Sequence, residues 1–411
     1  MKKRKGSPKK VALFGHFDST NFGNESTLEA ILYNLRRFLP DAQVFCISTG
    51  PEATVATHHI NAIPVAEILF KSWLPQRRIT RALRKIFIGL PSEPYRWIKG
   101  FMNLRRTDVL IIPGTGLLTD AYGLLNWGPY NLLKWSLIAK ACHCKLLFVS
   151  IGAGPVHSAL GKFFIKSMLS LADFRSYRDN SSKQCLESIG FRADDDRVYP
   201  DLAFSLPETV IPQQGAKNKS GRPVVGLGVM VSAGKYGVSG RSDTIHAAYL
   251  KKLVTFVKWL LAREYDVRLL SGDVGDVHAL QAFRDLLRER LSVYEEAHII
   301  YQPVSSVEDL LWQIATTDTV VATRFHNVLL ALLCGKPTIS ISFHHKCDSL
   351  MGSMGLSEYC LNIKDWNADQ LIKRFCELEN NADRIKASIK EKTREFRAAL
   401  DEQYECIFNA V

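Results

Sequence analysis

Apolar runs of four to six residues recur along the chain, each leading into glycine or into a longer stretch whose apolar positions return every three or four residues. This alternation predicts short buried strands separated by amphipathic helices, the βαβ repeat of a doubly wound parallel sheet. In the first half the strand-like runs are Val11–Phe14, Val44–Ser48, Val109–Pro113 and Leu146–Ile151. Pro207–Pro223 (PETVIPQQGAKNKSGRP) then breaks the pattern with proline, glycine and polar residues and reads as a linker. Strand-like runs resume at Val224–Val229 and continue through Val267–Leu270, His298–Tyr301, Val320–Thr323 and Thr338–Phe343.

The division that follows is a basic tail over residues 1–10, a Rossmann-like domain over 11–206, the linker over 207–223 and a second Rossmann-like domain over 224–381. Residues 382–411 close the chain as an amphipathic helix, Ala382 to Phe408, expected to pack back over the first domain. A length of 411 residues with 46% hydrophobic content suits two cores rather than one. Two such α/β domains facing each other across a cleft make the GT-B architecture.

The segment Asp318–Lys346 carries the most chemistry. A β-branched strand hands over to a helix of Val328–Leu333 that stops at Gly335 and Pro337, and a further strand follows. Arg324 and His326 stand at that first junction and Lys346 just beyond the following strand. Open parallel sheets bind ligands beyond the carboxyl ends of their strands, where helix N-termini attract anions. An arginine fork there holds a carboxylate or phosphate, and histidine suits acid or base work near neutrality. The alternative is structural: Arg324 in an ion pair and His326 as a helix cap.

Three glycine loops follow strands of the first domain: Asn21-Phe22-Gly23-Asn24-Glu25, with a helix from about Ser26; Gly114-Thr115-Gly116; and Gly152-Ala153-Gly154. Each admits close backbone approach to a ligand or is a tight turn, and their recurrence points to one shared crevice. Their spacing is not the dinucleotide fingerprint, so no NAD is inferred.

The net charge of +12 is concentrated. Residues 1–10 and 66–106 together hold sixteen Lys and Arg against two acids, which leaves the remainder close to neutral. The second of these segments interleaves its bases with Trp73, Leu74, Ile79, Leu83, Trp97, Ile98, Phe101 and Met102, and reads as a basic helical insert. It suits an anionic membrane surface or a solvated helical face; no nucleic-acid module accompanies it. No run is long enough to span a bilayer and the N-terminus lacks a signal-peptide core, so the expectation is a cytoplasmic protein, with the inner face of the membrane as its contact. Nine scattered cysteines suit a reducing compartment. Cys142-His143-Cys144 and His344-His345-Lys346-Cys347 lack a partner pair at zinc-site spacing, so no metal is expected.

Taken together, these motifs resemble the polysaccharide pyruvyl transferase family from Val11 to about Ile363. The resemblance rests on the Asn21–Glu25 loop, Gly114-Thr115-Gly116, Arg178-Asp179-Asn180-Ser181 with Leu186 and Gly190, Asp201-Leu202-Ala203-Phe204, and Arg324-Phe325-His326 followed by Gly335-Lys336-Pro337 and Lys346. Two positions depart from the family pattern: Asn24 stands where it places an acid, with Asp18 and Glu25 nearby, and Thr115 replaces a glycine.

The resemblance implies transfer of pyruvate from phosphoenolpyruvate onto two hydroxyls of one sugar in a polysaccharide or lipid-linked precursor, forming a cyclic ketal, with no further cofactor. It implies His326 and Arg324 as catalytic residues, His326 as the acid. Arg178, Lys346, Asn21, Gly23, Asn24, Gly114, Thr115, Gly116, Asp179 and Asp201 would bind substrate, with Asp179 alternatively a helix cap. Two other readings stand beside it. A glycosyltransferase using a nucleotide sugar would commonly carry acids where this chain has Ala322 and Leu330. A non-catalytic glycan-binding or scaffold protein would not need His326.

Overall fold

The computed structural model describes residues 8–18, 20–67, 87, 89, 91–121, 123–124, 128–212, 221–230 and 242–409. Most of the basic tail, residues 68–86, 88 and 90 of the basic insert, and residues 213–220 of the linker lie outside these. Strands β1 (Lys10–Gly15), β2 (Gln43–Ser48), β3 (Asn61–Pro64), β4 (Val109–Pro113), β5 (Lys145–Ile151), β6 (Phe174–Tyr177) and β7 (Arg197–Val198) form one parallel sheet in the order β3-β2-β1-β4-β5-β6-β7. A second parallel sheet joins β8 (Val224–Gly228), β9 (Asp266–Leu270), β10 (Ile299–Tyr301), β11 (Thr319–Ala322), β12 (Thr338–Ser342) and β13 (Cys360–Asn362) in the order β10-β9-β8-β11-β12-β13. This is the GT-B arrangement of two doubly wound α/β domains. In each sheet the strand order reverses beside its first strand, at β1/β4 and β8/β11, which is where such sheets open a crevice.

Helices of the first half are α1 (Phe22–Phe38), α2 (Pro51–His58), α3 (Glu93–Leu104), α4 (Pro129–Ala141), α5 (Ala159–Ser170) and α6 (Asn180–Ser188). Those of the second half are α7 (Ser242–Leu261), α8 (Val277–Arg288), α9 (Val293–Glu296), α10 (Val307–Ala315), α11 (Phe325–Leu333), α12 (His345–Ser353), α13 (Ala368–Asn380) and α14 (Ala382–Asn409). Helix α1 starts at Phe22 rather than near Ser26, because Asn21 takes the extended cap conformation and accepts from the Gly23 and Asn24 amides.

Because strand side chains alternate between faces, β1 divides its apolar residues between two cores. Ala12 and Phe14 join Leu110, Ile112, Leu146 and Phe148 under α4 and α5. Val11 and Leu13 face the other way, into a core that holds Leu28 and Ile31 of α1 and runs on without interruption into the second domain.

Helix α14 is part of that second layer on the first domain. Tyr404 and Phe408 pack on Phe38, and the fully buried Gln403 accepts a hydrogen bond from the Ser176 hydroxyl at 2.6 Å and donates Nε2 to Ser150 Oγ at 3.0 Å. At the surface of the same helix Arg37 bridges Asp401 at 2.6 Å, half exposed. Burial decides which contact matters. Gln403→Leu, which strands the buried Ser150 hydroxyl and removes the acceptor of Ser176, should cost about 1–3 kcal/mol. Arg37→Ala should cost at most about 1 kcal/mol. Chemical denaturation of the two variants side by side checks the order; equal loss would refute this account of how the helix is held.

Candidate functional site

Four helices begin at the mouth of the cleft. Asn21 caps α1, Asp179 caps α6, Arg324 occupies the cap position of α11 and His344 caps α12. The first two belong to one sheet and the last two to the other. Each contributes the partial positive charge of a helix N-terminus to the same region.

The two domains touch where α1 meets α11. Gly23, in the first turn of α1, lies against the His326 imidazole so closely that any Cβ at this position would run into the ring. Glycine is therefore required for the approach. Two more glycines have the same relation to cations. A Cβ on Gly116 would fall 2.8 Å from Lys346 Nζ, and one on Gly152 would fall 2.7 Å from the Arg178 guanidinium. Arg178 in turn sits 4.9 Å over the Phe325 ring, which packs edge-on to His326. His326, Arg178, Lys346, Gly23 and Gly116 thus form one constellation drawn from both domains.

Arg178 is buried. Its Nη1 donates to Asp201 Oδ2 at 3.3 Å and its Nε stands 3.4 Å from Asp179 Oδ2, while Nε and Nη2 have no hydrogen-bond partner. Burial and the neighbouring Arg178, Lys346 and Arg324 charges push the His326 imidazole down to about 3, which favours its neutral form. Burial and then Arg178 depress the Lys346 ammonium to about 7, against the opposing pull of Asp179. Burial raises the Asp201 carboxyl, outweighing Arg178. Burial also pushes Asp179 upward, but Arg178 and the Ser181 and Ser182 hydrogen bonds prevail and hold it below its ordinary value.

Arg324 is engaged differently. Its Nε and Nη2 grip the fully buried Asp276, Nη2 at 2.6 Å from Oδ1, and Nη1 lies 3.6 Å from Asp273. The ion pair anticipated as an alternative is present. Asp273 also accepts from Asn21 Nδ2 at 2.9 Å, and the Val274 amide donates to the Thr20 carbonyl at 2.8 Å. A chain of polar contacts thus runs from the α1 cap across the cleft to Arg324.

The other residues singled out in the sequence serve local structure as well. Asn24 gives its amide to the Asn21 side chain. Gly114 packs on the Ser150 carbonyl and Leu202 rather than facing a cation. Thr115 is buried and its hydroxyl donates back to the Pro113 carbonyl at 3.3 Å. Asp179 accepts from the Ser182 amide at 2.6 Å, and Asp201 caps the 3-10 turn Leu202–Ser205 through the Ala203 amide. His326 is not a cap. His344 accepts from the Lys346 amide, and among the described residues no three His, Cys, Asp or Glu side chains converge as a metal would require.

Sequence reasoning missed Asp273 and Asp276, although the Ser271–Asp276 loop follows β9 just as the other site loops follow their strands. It also missed the buried His58 beneath α1, whose Nε2 lies 2.7 Å from Glu25 Oε2. With Glu25 so paired and Asp18 Oδ1 accepting from the Thr20 amide and hydroxyl, both acids near Asn24 are bound into their own loop.

Comparison with known proteins agrees with this architecture. The amylovoran biosynthesis protein AmsJ of Erwinia amylovora is 18% identical over 92% of this chain and 94% of its own. Among solved structures, Anabaena HepE in complex with UDP-glucose superposes with a TM-score of 0.57 at 11% identity, covering 98% of this chain and 100% of that one. A putative UDP-N-acetylglucosamine 2-epimerase from Listeria monocytogenes gives 0.59 at 9% identity, over 96% of each chain. At such identities the structural likenesses establish the fold alone. The family model described as polysaccharide pyruvyl transferase matches residues 21–345, which takes in the α1 cap, Arg178, Asp201 and the Arg324–His326 junction. The chain belongs to the polysaccharide pyruvyl transferase family.

Proposed function

We propose that the protein transfers pyruvate from phosphoenolpyruvate onto two hydroxyls of one sugar, forming a cyclic ketal on a glycan precursor. The observation that carries this reading is the buried Arg178, whose Nε and Nη2 make no hydrogen bond, beside Lys346 and a neutral His326 at the meeting of four helix N-termini. A small donor bearing both a carboxylate and a phosphate would supply the negative charge that this cluster lacks. Arg178 and Lys346 would bind it. Arg324, held by Asp276, would orient the α11 N-terminus and add its charge at the cleft.

The chemistry requires a proton on the methylene carbon of the donor. The central carbon then accepts one sugar oxygen, and a second oxygen displaces phosphate, which leaves with the bonding pair of its bridging oxygen. The two hydroxyl protons balance the proton delivered to carbon and the one taken up by the departing phosphate or its base. His326 is the proposed acid. Burial, and then the cations it faces, favour its neutral form, and a bound anion would offset the field of those cations. Donor binding would therefore raise its proton affinity and draw a proton in.

Calorimetric titration with phosphoenolpyruvate in buffers of different ionisation heat near neutral pH should show net proton uptake, diminished in His326→Gln. The same variant should lose about 100- to 10,000-fold in acceptor-dependent phosphate release while keeping its melting temperature. Full turnover by that variant would dismiss the acid role. Because Lys346 loses its charge as pH rises through about 7, the donor KM should climb above that pH, and Lys346→Arg should flatten the climb. A profile unchanged by that substitution would remove Lys346 from the donor site. Gly23→Ala, which forces a methyl group into the His326 ring, should lower kcat more than it lowers stability; wild-type kinetics would mean that the two domains need not touch there.

A further inference from the structure

Helices α3, α4 and α5 form one layer on the first sheet, with α4 packed between the other two. Their inner faces supply Leu104, Trp135, Ile138, Ile165 and Met168 to the core. The outer face of α3 is also apolar. Tyr95, Ile98 and Met102 are spaced as one helical stripe, joined by Phe101, and Ile98 and Met102 are 62% and 56% exposed. On α5, Leu160 and Phe163 are 57% and 59% exposed. An amphipathic helix that buries one face normally presents polar residues on the other, so a second apolar face calls for a partner.

The charge on this layer has a single sign. Residues 93–106, 129–141 and 159–170 contain eight Lys and Arg and one acid, Glu93. Glu93 is occupied by Arg96 and lies 3.5 Å from Lys134; Lys99 pairs with Glu67 and Lys140 with Asp173. Arg105, Arg106, Lys162 and Lys166 have no carboxylate partner among the described residues.

We propose that the outer face of α3 and α5 docks on an anionic bilayer surface, its apolar side chains entering the headgroup boundary and its unpaired cations lying at phosphate level. The charge argues against a second copy as the occupant: a symmetric contact would set this face against itself and bring like charges together. The N-termini of α3, α4 and α5 lie at the strand-end edge of the sheet, the edge that holds Gly116 and Gly152. Docking here would therefore present the cleft to an acceptor anchored in the same membrane. The inference does not depend on which group the enzyme transfers.

Cosedimentation with phosphatidylcholine vesicles, with and without phosphatidylglycerol, tests it using the full chain. Binding is expected only where phosphatidylglycerol is present and should weaken with added salt. The double variant Ile98→Asp, Phe163→Asp should bind at least about tenfold more weakly. Arg105→Glu with Lys162→Glu should lose at least as much, at roughly fivefold or more per charge. All four positions are surface sites, so unfolding profiles and activity on a water-soluble acceptor should be unchanged; a failed transferase assay would leave the vesicle result standing on its own. Equal binding by wild type and both variants overturns the proposal. So does binding to pure phosphatidylcholine at the same strength, or a dimer in solution that the Ile98 and Phe163 substitutions dissociate.

Discussion

Crowding positive charge into one cleft is the constraint on which the rest of the site depends. Four helix N-termini, the buried Arg178, Arg324 and Lys346 share one region, and such an assembly repels itself unless carboxylates or a bound anion offset it. The chain meets this with four aspartates in two different ways. Asp276 and Asp273 hold Arg324, and Asp276 is fully buried in doing so. Asp179 and Asp201 hold Arg178 more loosely, at 3.4 and 3.3 Å, with two of its nitrogens unsatisfied. The first pair is a closed ion pair that fixes a backbone junction, whereas the second leaves donor capacity open toward the cleft. One arginine is thus fully engaged by its aspartates, and the other keeps two nitrogens without a hydrogen bond.

Much of this was legible in the sequence because it is local. Buried parallel strands announce themselves as apolar runs, and nine were read correctly as to place. The strands that went unread are short or lie toward the sheet edges: β3 (NAIP), β6 (FRSY), β7 with two residues, and β13. None carries enough apolar residues to stand out, since edge positions are buried on fewer sides. The Arg324–His326 junction stood out because a strand, a cap and a helix follow each other within a few residues.

What the sequence could not display is pairing at a distance. Arg324 and Asp276 are 48 positions apart and Asn21 and Asp273 are 252 apart, so nothing in either neighbourhood marks them as partners. The same holds for Gly23, whose lack of a side chain looks like a turn requirement until the His326 ring is found against it. Glycine and aspartate are ambiguous in one dimension, because the same residue suits a turn, a cap or a close contact. Only the packing of one domain on the other selects among these uses.

The polar chain from Asn21 through Asp273 to Arg324 also ties the geometry of the cleft to the state of its contents. Asn21 sets the start of α1, and hence the position of Gly23. Arg324 sets the start of α11, and hence the position of His326. One aspartate joins the two, so the histidine and the glycine that packs against it are positioned through a common hinge point rather than independently. Burial first, and then the charges of Arg178, Lys346 and Arg324, together lower the proton affinity of His326. Of these causes a bound anion would offset only the cations, because the ring itself is held against Gly23 and Phe325.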